Sequence, residues 1–88
     1  VSADAAFLAA FDALPMGAYG GTFEGRRYRI VKSRFSAARS QKLEAEELGG
    51  NDYISMNLYR LASGAALLKP CEMPEDKVRA FVLGVVAD

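Results

Sequence analysis

The chain has 88 residues, 51% of them hydrophobic and 25% charged, with 11 basic and 11 acidic side chains, no His, no Trp and one Cys. One Cys excludes an intrachain disulfide, and without His the His- and Cys-based zinc sites and the His-dependent catalytic triads are excluded as well. A chain this short and this apolar is a single folded domain, and its apolar runs are too short to cross a membrane.

The formal net charge of zero hides a strong ordering. Residues 1–25 carry three acids and no base, residues 26–42 carry seven bases and no acid, and residues 43–88 carry eight acids against four bases. Neutrality is therefore a cancellation of segregated blocks. The apolar stretch at residues 5–13 has no basic flank before it and is broken by Asp12, which does not fit a secretory leader. With the lone thiol this gives a cytoplasmic expectation.

In chain order, Ser2 is placed to cap a first helix, with Asp4 in its first turn against the positive dipole end. Phe7, Leu8, Phe11 and Leu14 fall on one helical face, and Pro15 and Gly17 stop the helix. From Ala18 the pattern turns to glycines, aromatics and β-branched residues, which predicts a hairpin over roughly 19–24 and 27–35 with Glu24-Gly25 between. The glycines at 17, 20, 21 and 25 lack the Gly-Lys-Ser/Thr ending and the following helix of a phosphate loop, so they are read as turns and a bulge.

Residues 36–48 have helix-favouring composition, and Lys42 and Glu46 would pair at i, i+4. Leu43 and Leu48, five apart, share no helical stripe, and Gly49-Gly50-Asn51-Asp52 makes a hairpin loop into the next segment, so 41–48 is read as a strand. Over Tyr53–Leu61, Ile54, Met56 and Leu58 alternate with Tyr53, Ser55, Asn57 and Tyr59, which predicts one core face and one polar-aromatic face. A short strand over Ala65–Leu68 ends before Pro70. Pro74 at the first helical position, with Glu75 and Asp76 behind it, starts a last helix over roughly 75–86, with Val78, Phe81, Val82 and Val85 on its stripe. Leu83 and Val86 lie off that stripe and widen the apolar face. The sum is an α+β domain: an antiparallel sheet of about five strands in a meander, with the N-terminal and C-terminal helices packed on one face.

The basic block holds the candidate chemistry. On a strand Arg27 and Arg29 share one face, while Arg26, Lys32 and Arg34 take the other at its rim, and Arg39 and Lys42 follow in or beside the next loop. Cations beside Tyr28, Phe35, Tyr53 and Tyr59 are what a single-stranded nucleic acid uses, charge for its phosphates and rings for its bases. The nucleic-acid-binding set is Arg27, Arg29, Arg34, Arg39, Lys42, Tyr53 and Tyr59. The competing reading has Arg27 and Arg29 facing Glu44, Glu46 and Glu47 across the sheet in solvated pairs with no further role. Cys71 has no His to serve as its base and Glu72 opposes a lowered pKa, so it reads as a small packing residue. The carboxylates Glu44, Glu46, Glu47 and Asp52 match no calcium loop and lack an apolar setting that would raise a pKa, so neither catalysis, nor a metal, nor a cofactor is expected.

The order strand, hairpin, long strand, loop, short strand and helix, with Tyr53–Leu61 as the long strand and Val78–Val86 in the helix, resembles the single-stranded-DNA-binding transcriptional coactivator domains. No motif matches residue by residue, and the N-terminal helix is extra. The resemblance implies single-strand binding on the sheet. A different class of role, a homodimeric or protein-interaction domain docking through Leu83 and Val86, is the alternative.

Overall fold

The computed structural model describes residues 2–35 and 39–88. Its elements in chain order are α1 (Ala5–Ala13), β1 (Gly17–Phe23), β2 (Arg26–Phe35), β3 (Ser40–Glu47), β4 (Tyr53–Arg60), β5 (Ala66–Pro70), α2 (Glu75–Gly84) and β6 (Val86–Ala87). The six strands form one antiparallel sheet in the order β5-β4-β3-β2-β1-β6. The first five are the expected meander, and the sixth is a two-residue addition on the β1 edge.

The β1–β2 hairpin follows from its local chemistry. Glu24 and Gly25 both have positive φ, 51° and 76°, the conformation a two-residue turn needs to match the twist of its strands. The 41–48 segment is a strand although its residues favour a helix, because Gln41, Leu43 and Ala45 alternate into the core while Lys42, Glu44 and Glu46 alternate out. Pairing on both sides, with β2 and with β4, outweighs the helical preference.

Both helices cover the face carrying Tyr28, Ile30, Leu43, Ile54, Met56, Leu58 and Leu68, all of them at most 2% exposed. From α1 come Phe7 and Phe11, and from α2 come Val78, Phe81 and Val82. The Phe81 ring lies 5.1 Å from both Phe23 and Tyr28, giving tilted and edge-to-face contacts at the centre of the α2 packing. Tyr28 is therefore core and unavailable as a stacking platform, contrary to the sequence expectation. Its hydroxyl donates to Asp52 Oδ2 at 2.7 Å. Burial, then that bond, pushes the Tyr28 pKa up to about 12.

Four boundaries differ from expectation. Asp4, not Ser2, is the α1 N-cap, its side chain accepting from Phe7 N–H at 2.8 Å. Ser2 instead bridges Leu67, and Ala3 N–H donates to Ala66 C=O, so the N-terminal segment lies on the β5 edge. Pro74 is the N-cap of α2 and not its first helical residue, and α2 ends at Gly84 with Val85 as its cap, so Val86 belongs to β6. Pro70 is the last residue of β5, opposite Met56, where a strand end tolerates its missing N–H.

Among the described residues one charged side chain is buried. Lys32 is 3% exposed, and its Nζ donates to Phe11 C=O at 2.6 Å and Leu14 C=O at 2.9 Å, two carbonyls at the C-terminus of α1. The ammonium also lies 4.2 Å from the Phe11 ring centroid. Burial pulls its pKa down, and Asp12 nearby opposes the shift. Among the described residues no helix is long and apolar enough to cross a membrane.

Candidate nucleic-acid interface

With both helices on one side, the other side of the sheet is open. Strand register arranges it in rows that cross the strands. The row nearest the β2–β3 connection is Phe35, Ser40, Tyr59 and Leu67, and the next is Ser33, Lys42, Asn57 and Lys69. Then come Val31, Glu44 and Ser55, with Ala18 beside Val31 on β1, and then Arg29, Glu46 and Tyr53, with Gly20 beside Arg29. The last holds Thr22, Arg27 and Val86.

Of the seven sequence-derived site residues, Arg27, Arg29, Lys42, Tyr53 and Tyr59 lie on this open side. Arg34 is exposed but belongs to the helix side of β2, opposite Gln41, and Arg39 is exposed in the turn before β3. The seven are not one cluster. Arg29 and Tyr53 share a row with Glu46, while Lys42, Tyr59 and Arg39 lie at the opposite end with Arg34 near them.

Partners separate the two ends further. Arg27 is held by Asp88 through two bonds, Nη1 to Oδ1 at 2.8 Å and Nη2 to Oδ2 at 2.6 Å, and Nη1 also donates to Thr22 Oγ1 at 3.0 Å. Hydrogen bonding to Arg27 draws the Asp88 carboxyl below its usual range and raises Arg27 above its own. The pair lies over Gly20, where an added Cβ would stand 2.7 Å from Arg27 Nη2 and from Asp88 Oδ2. Arg27 is thus satisfied within the chain, by a carboxylate 61 residues away and not by Glu44, Glu46 or Glu47. Arg26 reaches Glu47 at 3.5 Å and Glu24 at 3.8 Å on the helix side. Arg60 pairs with Asp12, Arg79 with Asp4 and Lys77 with Asp52.

Among the described residues, four exposed or half-buried cations form no ion pair: Arg29, Arg34, Arg39 and Lys69. Three of those four lie around the end that carries Phe35 and Tyr59. Lys42, which belongs to the same end, touches Glu44 only at 4.0 Å. Phe35 is 53% exposed. Compared with family models, with curated proteins and with solved structures, the chain matches none. The coactivator resemblance accordingly adds nothing to what the side chains themselves show.

Two members of this end, Phe35 and Lys69, are outside the sequence-derived set. The signal for Phe35 was its alternation: with Tyr28 and Ile30 inward, residue 35 points outward. Lys69 follows Leu68 in a short strand whose inward positions are Ala66, Leu68 and Pro70. Its row mate Lys42 becomes visible only through the register of β3 with β4 and of β4 with β5.

The remaining groups are structural. Asp52 accepts from Tyr28 Oη and from Lys77 Nζ, the latter at 2.7 Å, and its backbone N–H donates to Glu47 Oε1 at 3.3 Å, tying the β3–β4 loop to α2 and the core. The bond from Lys77 is the largest cause holding its pKa down. Cys71 is half-buried, and Asn57 Nδ2 donates to its Sγ at 3.5 Å. Among the described residues no group of three or more acidic or thiol ligands could hold a metal ion.

Proposed function

We propose that the protein is a non-enzymatic binding domain whose open sheet face takes single-stranded nucleic acid at the end formed by Phe35, Arg39, Lys42, Tyr59 and Lys69, with Arg34 at the rim. The observation that carries this reading is the sorting of the cations. Those near Asp88, Glu47, Asp12, Asp4 and Asp52 are neutralised by carboxylates of the chain, while among the described residues Arg29, Arg34, Arg39 and Lys69 have no such partner, and all of these but Arg29 lie at the end that carries Phe35 and Tyr59. Exposed cations next to aromatic surface match a polyanion that also carries planar bases.

The reduced set makes the expectation quantitative. Four cations neutralising about four phosphates give a fall of log K with log salt of slope about −3 for a single strand. Titration of a fluorescein-labelled thymidine oligonucleotide of about 15 nucleotides at several salt concentrations measures it. Absence of binding at low salt removes the reading. The lone thiol, half-buried and unbonded to another sulfur, accords with a reducing compartment, and we place the protein in the cytoplasm.

A second reading rests on its own observation. Leu83 on α2 is 49% exposed and Val86 on β6 is 68% exposed, two apolar side chains three residues apart where the chain passes from α2 to β6, remote from the basic end. Val86 lies on an edge strand and not on the helix stripe. A second copy of the chain docking there predicts a concentration-dependent dimer in sedimentation equilibrium that Leu83→Asp dissociates. A monomer at every concentration excludes it.

A further inference from the structure

Resting on the single-strand reading, we infer that the nucleic acid crosses the β-strands at right angles along the Phe35–Tyr59 row, its bases stacked on those two rings and its phosphates over Lys42 and Lys69.

The register dictates this path. Phe35 and Tyr59 occupy one row, on β2 and β4, separated only by Ser40 of β3. Neighbouring strands lie about 4.8 Å apart, so the backbone positions that carry the two rings are about 10 Å apart across the sheet. Ser40, between them on β3, is small. Leu67 of β5 extends the same row with apolar surface beyond Tyr59.

The neighbouring row repeats the spacing with charge in place of rings. Lys42 on β3 and Lys69 on β5 share it, with Asn57 of β4 between them. They too are two strands apart, about 10 Å, and about 7 Å from the aromatic row along the strand direction. Rings on β2 and β4 and ammonium groups on β3 and β5 therefore alternate in step across the sheet, one row offset from the other. A backbone running across the strands meets a cation after each ring, whereas one running along a single strand meets Glu44 and then Glu46 once it has passed Lys42.

The carboxylates set the boundary. Glu44 and Glu46 fill the next two positions of β3 on the open side, so a phosphate chain is repelled from the centre of the face and confined to the end row. Arg39, in the turn before β3, flanks the aromatic row on its other side. Recognition through ring stacking and point charges, with no groove-reading element, favours a single strand with exposed bases over a duplex and tolerates any sequence.

The test uses the full chain with a labelled thymidine oligonucleotide of about 15 nucleotides and the corresponding duplex at low salt. Tyr59→Ala and Phe35→Ala each weaken single-strand binding by about 5- to 150-fold, the range for loss of one stacked base. Tyr59→Phe retains it, and both alanine variants keep the circular dichroism spectrum of the parent, since neither ring is core. Lys42→Ala and Lys69→Ala each reduce the salt slope by about 0.7. Arg29→Ala and Tyr53→Ala, at the far end of the face, leave affinity within about twofold, because neither group touches the path. If the oligonucleotide binds but Tyr53→Ala abolishes binding while Tyr59→Ala does not, the path is wrong and the broader reading stands. Equal affinity for the duplex also overturns the stacking path, and failure of the parent protein to bind any oligonucleotide overturns both.

Discussion

Lys32→Ala is expected to destabilise the domain by about 3–5 kcal/mol, the largest effect of any single polar substitution in the chain. Two contributions add. Removing the ammonium leaves Leu14 C=O, and in part Phe11 C=O, without a donor in a buried setting, at about 1–3 kcal/mol for such an orphaned group. Phe11 C=O keeps its bond from Leu14 N–H, so the larger loss is at Leu14. Truncating a side chain that is 3% exposed also opens a void beneath α1.

Lys32→Met fills the void and removes a buried charge, and is expected to cost only about 1–2 kcal/mol, the deficit of the orphaned carbonyl. Urea unfolding followed by circular dichroism at neutral pH distinguishes the two, with exposed Lys69→Ala as the control. A Lys32→Ala midpoint equal to that of Lys69→Ala refutes the role assigned to the buried lysine. The pH dependence carries a sign of its own. The folded state lowers the Lys32 pKa from 10.5, so between the two values the unfolded chain holds more protons and this group's contribution to stability rises with pH. Tyr28 acts the other way: its folded pKa of about 12 exceeds its unfolded value of 10.0, so its contribution is intact below pH 10 and is lost as pH climbs through 12. Lys32→Met removes the rise and Tyr28→Phe removes the fall.

Phe81→Ala is the second large expectation, at about 3–5 kcal/mol. Phe81 is fully buried and its ring meets Phe23 and Tyr28, which join β1 and β2 to α2. Its loss removes apolar burial and two ring contacts and leaves a cavity that backbone on both sides holds open. For a domain of this length the melting temperature drops by about 15–30 °C. Leu83→Ala, on the exposed side of the same helix, is expected to change stability by less than about 0.5 kcal/mol. Thermal unfolding of the two variants side by side checks the assignment, and comparable losses would mean that α2 docks by a different face.

The sequence disclosed the five-strand meander because its strands carry their own alternation and two of its turns their own chemistry. Glu24-Gly25 and the 49–52 loop set two hairpins, and Ile54, Met56 and Leu58 declared a core face without reference to anything distant. Even the helix-favouring 41–48 segment was legible, through the spacing of Leu43 and Leu48. What escaped were properties settled by remote parts of the chain. Nothing near Arg27 announces that Asp88 neutralises it, and nothing near Lys32 announces that the Phe11 and Leu14 carbonyls at the end of α1 will receive it. Tyr28 and Phe35 look equivalent in sequence, yet odd and even positions of β2 send one into the core and the other outward. The α2 boundary slipped for a similar reason: Val85 and Val86 continue a helical pattern of apolar residues, but β1 offers Val86 and Ala87 an edge to pair with.

The two outer edges of the sheet are each covered in part by a segment remote in sequence: Ser2 and Ala3 meet β5 at Leu67 and Ala66, and residues 86–88 meet β1 at Gly20, Gly21 and Thr22. The hairpins between them form from neighbours in sequence and are able to assemble early, whereas each edge waits for a partner more than sixty residues away. Folding intermediates should therefore expose unpaired β1 and β5 backbone. The stretch that residues 86–88 cover, Gly20, Gly21 and Thr22, has neither charge nor proline to deter another strand. Removing residues 86–88 would make that transient hazard permanent, turning a monodisperse preparation into one that self-associates through β1.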